Sequence, residues 1–357
     1  GALITNRFKG EYVTALRSLG LVHNDRLHSH FHKLVGERLY NSLFRQRILL
    51  EFLKIQEKPP ALCKICFDPE DTFLAQFPWE LIHDGRTHLV AAKNGIELTR
   101  YILYETAPTS LEIRPPLKIL FVSPRPQMKD QLPSKAEVVE VINGLSPLKE
   151  SGKLSWKHLK PATWEALENE LNSQSYQIIH FDGHGTFARE CPLCGTMHYP
   201  TTTTCVECGE NMEDKSPEGY VHLEKEYGQL DLVSVSDLKL LLKNSHTRLV
   251  VLSACGSGVV GGVSVFNGIA PGLVQIGVPA VVRMQGSPPA MAAIKFTRRM
   301  YSLLANGERL PEAVNSGRRA IFRYKPPVWF MPVVYLRSSD KSYGQLFAQQ
   351  SLGGIHV

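Results

Sequence analysis

Apolar residues in this chain gather into short β-branched runs that stop at glycine, alternating with segments of helical spacing. Tyr176-Gln-Ile-Ile-His-Phe-Asp-Gly-His-Gly185 and Leu249-Val-Val-Leu-Ser-Ala-Cys-Gly-Ser-Gly258 are the clearest runs. Runs of this length and composition predict strands buried on both faces of a parallel sheet. Leu117-Lys-Ile-Leu-Phe-Val-Ser123 and Leu154-Ser-Trp-Lys-His-Leu159 predict two more. Between them, helical spacing predicts helices over Ser134–Leu145, Thr163–Asn172 and Val235–Lys243. Strand–helix alternation implies right-handed crossovers and an open, mostly parallel α/β sheet.

The first third reads differently. Leu27 to Leu53 carries Leu34, Val35, Leu39, Leu43 and Phe44 at helical spacing, and Pro59-Pro60 ends it. Leu62–Phe67, Leu89–Ala92 and Ile96–Tyr104 read as strands, with a turn at Asp68-Pro69. Pro108 and Pro115-Pro116 mark an internal boundary. The division expected is an N-terminal subdomain over 1–115 and a second domain over 116–345. The uncharged stretch Val259 to Val282 carries five glycines and two prolines in 24 residues. It therefore reads as loop, helix and buried strand rather than a membrane span.

Composition adds bounds. A chain of 357 residues, 43% hydrophobic and 21% charged, can bury a large core. A net charge of +6 on this length does not point to nucleic acid. Gly1-Ala-Leu opens the chain without Met and is left out of the fold reasoning; no signal peptide is read.

The chemistry sits where the two glycine-ended runs stop. One ends at His184-Gly185, the other at Cys255-Gly256. Ligands of parallel sheets bind beyond the carboxyl ends of the strands. Neighbouring strands ending this way would set a base beside a thiol, the arrangement a cysteine nucleophile needs. The alternative readings are a packed loop histidine and an inert buried thiol; the matched endings weigh against both. His180, inside its strand, reads as structural.

His-Phe-Asp-Gly-His-Gly followed by Leu-Ser-Ala-Cys-Gly-Ser-Gly resembles the CHAT family of caspase-like cysteine peptidases, relatives of caspases and separase. Phe77-Pro-Trp-Glu-Leu-Ile82, Gly277-Val-Pro-Ala-Val-Val-Arg-Met-Gln285 and Phe296–Ala320 fit the family in order, so the resemblance covers residues 35 to 340. It implies a caspase-like three-layer α/β/α sandwich and makes the first 115 residues a pseudo-protease subdomain. It implies a Cys255–His184 dyad, with an oxyanion hole from the backbone N–H groups of Gly185 and Cys255. Arg125, Ser253, Met284 and Gln285 would line the substrate pocket. Many relatives carry an Asp shortly after the Met-Gln pair; here Pro289 or Ala290 stands there, which counts against a basic P1 residue.

An insertion separates the two strands. Cys191-Pro-Leu-Cys194 and, ten residues on, Cys205-Val-Glu-Cys208-Gly209 have zinc-ribbon spacing, predicting a structural four-thiolate Zn²⁺ site within 188–215. Four of the seven cysteines in metal spacing suit a reducing, cytoplasmic compartment. Cys63-Lys-Ile-Cys66, the patch of His23, His28, His30 and His32, and the pairs Arg298-Arg299 and Arg318-Arg319 read as strand residues, a solvated face and solvent-facing charges. The function expected is a cysteine endopeptidase acting on a protein substrate, regulated by a partner or a fused sensor domain. The alternative is a catalytically idle scaffold with a ribbon that docks partners. No membrane partner is expected.

Overall fold

The structure is a computed structural model. It describes residues 22–23, 26–28, 30–57, 61–67, 77–92, 95–102, 111–112, 115–126, 136–243, 245–253, 259–260, 263–264, 266–286, 288–337 and 344–348. Cys255 and Gly256 lie outside the described residues, as do Asp68-Pro69 and Pro108. By contact density the chain divides into a smaller unit, 1–63 with 77–98, and a larger one, 64–76 with 99–357.

The smaller unit contains α1 (Phe31–Leu43) and α2 (Gln46–Gln56). One helix was expected here, and two are found. Arg45 is extended and Gln46 has φ 47°, so the chain turns between them. The turn lets Phe44 stack on Phe52 with ring centroids 3.9 Å apart, and both rings are buried. A straight helix would separate residues eight apart by about 12 Å along its axis. Leu89–Ala92 is a turn rather than a strand, closed by the amides of Ala91 and Ala92 on the His88 carbonyl. Leu89 and Val90 are apolar because the turn is buried, not because it pairs in a sheet. The helix α1 approaches a different turn, Trp79–Leu81, through Gly36, where a Cβ would lie 2.0 Å from the Leu81 carbonyl oxygen.

The larger unit is a three-layer sandwich. Its sheet uses residues 64–67 of β1 (Ala61–Phe67), residues 99–102 of β2 (Ile96–Ile102), and β3 (Leu117–Val122), β4 (Leu154–Leu159), β5 (Ile178–Asp182), β10 (Leu249–Ser253), β11 (Ala280–Met284) and β12 (Pro332–Leu336). The order is β1-β2-β12-β11-β10-β5-β3-β4. The registers of β3 with β4, β3 with β5, β5 with β10 and β10 with β11 are parallel, and β11 with β12 is antiparallel. The strands β1 and β2 are divided between the units, at Cys63–Lys64 and Leu98–Thr99.

Alternate residues of each strand face opposite layers. Leu120, Val122, Ile179, Phe181, Val250 and Leu252 pack against Leu167, Leu238 and Leu273. These come from α4 (Trp164–Ser173), α5 (Val235–Leu242) and α6 (Phe266–Gln275). On the other face Phe121 and His180 meet Tyr301 of α7 (Ala290–Leu304). That helix packs between α3 (Ala136–Glu150) and α8 (Leu310–Ala320). Arg318, expected to face solvent, is fully buried; its guanidinium donates to Asn315 and to the Pro332 carbonyl. The helix α8 is covered on that side, so the charge is met by fixed acceptors instead of water.

A second sheet grows from the carboxyl end of β5. It contains β6 (Gly185–Glu190), β7 (Met197–His198), β8 (Glu218–Glu224) and β9 (Leu230–Ser234), in the order β7-β6-β8-β9, with antiparallel registers throughout. The four-cysteine insertion leaves from β6.

Candidate active site and metal centre

The registers align the strand ends. Val122 is opposite Phe181, Leu252 is opposite Phe181, and Leu252 is also opposite Arg283. One step further along, Ser253 is opposite Asp182. Ser123, Asp182, Ser253 and Met284 therefore each follow directly on a common row, at the carboxyl edge of the sheet. His184 comes two residues after Asp182. Ser253 and Met284 are buried. Gln285 extends the edge, its amide N–H donating to the Met331 carbonyl and its side-chain nitrogen to that of Phe330.

His184 is held from both sides. The amide of His222, on β8, donates to the His184 carbonyl at 3.0 Å. The two imidazoles lie 6.2 Å apart, centroid to centroid. The ring of His222 is buried, with Nε2 2.6 Å from Thr186 Oγ1, and burial pushes its pKa down to about 4. It is neutral at physiological pH. Nothing in the sequence flags His222; it lies 36 residues from Thr186 and 38 from His184.

On the other side stands Arg125. Its guanidinium pairs with the Asp182 carboxylate and also donates to the Asp182 carbonyl, at 2.6 Å. Arg125 thus braces the residue from which the His184 loop departs, rather than presenting a free cation. Burial pushes the Asp182 carboxyl up, and Arg125 opposes that. For His184, burial lowers the pKa first; the Arg125 charge lowers it further and Asp182 works the other way. A half-buried imidazole held below its ordinary value is neutral at pH 7 and able to accept a proton. Between these residues Gly183 has no room for a side chain, since a Cβ would lie 2.8 Å from the Phe181 ring and 3.0 Å from Pro124.

The four cysteines of the insertion form one cluster. Their sulfur atoms all lie within 4.8 Å of one another, with Cys191–Cys208 and Cys194–Cys205 at 3.6 Å. Four ligands at about 2.3 Å around a tetrahedral centre would stand roughly 3.8 Å apart, so the donor set fits a metal ion. Both knuckles have the same backbone. The amides of Gly195 and Gly209 donate to the carbonyls of Cys191 and Cys205, and both glycines have positive φ, 72° and 77°. The imidazole of His198 lies 3.2 Å from the Cys205 sulfur, beside the cluster rather than in it. Arg189 of β6 ties the two arms by donating to the carbonyls of Met212 and Pro200. Cys191, Cys205 and Met212 are its small buried core.

The CHAT domain profile matches residues 33–339, most of the chain. The chain belongs to the CHAT domain family. That family consists of caspase-like cysteine peptidases, and the three-layer sandwich with its mostly parallel sheet is the caspase-like fold. The crystal structure of the Arg-specific cysteine proteinase gingipain R matches this CHAT domain with a TM-score of 0.48 and 10% identity, over 85% of this chain and 70% of that one. No curated protein sequence matches it. Among the described residues, no helix of this CHAT domain is long and apolar enough to cross a membrane.

Proposed function

We propose that this CHAT domain is a cysteine endopeptidase in which Cys255 is the nucleophile and His184 its base. The supporting observation is the parallel register that sets Ser253 opposite Asp182 on neighbouring strands. Cys255 follows Ser253 through one residue and His184 follows Asp182 through one residue. A two-residue step spans at most about 7 Å, and that short reach supports reading the thiol and the imidazole as partners at one edge of the sheet.

In the reaction, neutral His184 takes the Cys255 thiol proton. The sulfur attacks the scissile carbonyl carbon, forming a C–S bond, and the oxygen's charge is met by the N–H groups of Gly185 and Cys255. The protonated imidazole then gives its proton to the leaving amine as the C–N bond breaks. His184 next deprotonates a water, which attacks the thioester and releases the carboxylic acid and the thiol. Arg125 and Asp182 hold the loop that carries the base.

Cys191, Cys194, Cys205 and Cys208 would hold one Zn²⁺, whose four thiolates leave no position for substrate and give it a structural role. The substrate is a protein, and access to it is controlled by a partner or a fused sensor domain in a reducing, cytoplasmic setting. The test is covalent labelling by an electrophilic peptide probe, with the modified residue located by mass spectrometry. Labelling at Cys255 that is lost in His184→Ala supports the dyad. A Cys255 no more reactive than Cys66 in the same chain would favour the idle scaffold.

A further inference from the structure

A second feature of the catalytic edge is a pocket at the carboxyl ends of β3 and β4, of about 580 Å³. Its apolar wall comes from Val138, Val139, Leu159 and Pro161. Its polar lining is Ser123, Arg125, His158, Lys160 and Glu224. The size suits one extended side chain with its flanking backbone.

Each polar group has a definite state. Among the described residues Glu224 is the only acid of the lining, and its carboxylate accepts from the backbone amides of Arg125 and Ala162. Buried Ser123 Oγ and His158 Nε2 have no hydrogen-bond partner among the described residues. Buried polar atoms that nothing satisfies are uncommon, and one explanation for them is an absent ligand. Lys160 is exposed at the rim. The site combines an apolar wall, a cation at the mouth, two polar side chains to spare and a carboxylate whose oxygens are held by backbone amides. Arg125 joins it to the reaction centre, through its amide on Glu224 and its guanidinium on Asp182.

We propose that this pocket is a specificity site that takes an acidic side chain of a bound polypeptide, its stem along Val138, Val139 and Leu159 and its carboxylate toward Lys160, Ser123 and His158. The proposal rests on the endopeptidase reading, because it names the substrate feature that reading leaves open. A basic side chain would meet the Lys160 ammonium, and among the described lining residues it would find no acid beyond Glu224, whose oxygens the backbone amides hold, which electrostatic complementarity disfavours.

The experiment uses the whole chain carrying Cys255→Ala, so that binding is read without turnover. Capped hexapeptides that differ at one position, Glu, Gln or Lys, are titrated by calorimetry, with the His158 ring followed by ¹⁵N-edited NMR. The expected result is at least a tenfold preference for Glu over Lys, a His158 shift with the Glu peptide only, and reversal of the preference in Lys160→Glu. Equal affinities, or a preference unchanged in both Lys160→Glu and His158→Leu, would overturn it. Circular dichroism of each variant shows whether it is folded. The two readings separate: a chain that prefers Glu peptides but whose Cys255 resists the electrophile loses only the peptidase assignment. One that is labelled but indifferent to the charge of the peptide loses only the pocket.

Discussion

His184 shows how much of a reactive group's character comes from its surroundings. Its ring is half-buried, the Arg125 charge stands nearby, and both hold its pKa down. A base works in its neutral form, so kcat/KM should fall on the acid side with a midpoint below histidine's ordinary value of about 6.5. Arg125→Gln removes one depressing charge and leaves Asp182 to raise the pKa, so the midpoint should move up. A pH profile of wild type and variant checks this; a midpoint that does not move would detach Arg125 from the base. His184→Ala should lower kcat/KM by a factor on the order of 10²–10⁴, and Cys255→Ala should abolish cleavage. At the edge of the sheet, His184→Ala should cost only about 1 kcal/mol of stability. A thermal melt beside the kinetic assay separates lost chemistry from lost folding.

At the scale of elements, the strand β6 does two jobs. Its first residue, Gly185, follows His184, and its last, Glu190, precedes Cys191. Disturbance of the ribbon therefore has a six-residue path to the base. The ribbon's own buried core is small, so bound metal would supply its folding energy. We expect elemental analysis to find one zinc per chain. Cys205→Ser with Cys208→Ser should release it, open 191–215 to proteolysis and reduce activity, while the main melting transition stays within a few degrees. Zinc loss with full activity would make the ribbon a staple for its loop alone. The sheet that carries β6 is pinned to α6 through Gly219 of β8, where a Cβ would lie 2.5 Å from Ile269 Cγ1 and 2.9 Å from its backbone nitrogen. Gly219→Ala should therefore destabilise by about 1–3 kcal/mol, measured by denaturant unfolding. A wild-type midpoint would show that α6 yields easily.

At the scale of the molecule, the larger unit buries histidines in neutral form. Burial holds His180 at about 3 and His222 at about 4. Both values lie below the unfolded value of about 6.5, so the unfolded chain binds more protons between those limits. Stability is complete above pH 6.5 and is lost as pH falls below it, by roughly 2 kcal/mol per histidine at pH 5. The melting temperature should drop by several degrees from pH 7 to pH 5, and His222→Gln should flatten that slope. An equal slope in the variant would remove His222 from the acid sensitivity. The sequence alone determined what depends on neighbours along the chain. Short apolar runs, read as strands buried on both faces, made β3, β4, β5 and β10 legible. Cys-x-x-Cys spacing made the sulfur cluster legible, because each knuckle closes within five residues. The tertiary structure decided what depends on distant partners. The bend after Phe44 exists because Phe52 is there to stack on. Arg318 is buried because α8 is covered. Arg125 meets Asp182 across 57 residues, and the Ser253–Asp182 register aligns two strands 71 residues apart. Local composition carries no record of such pairings, because they are selected only when the sheets and helices of the larger unit compete for one core.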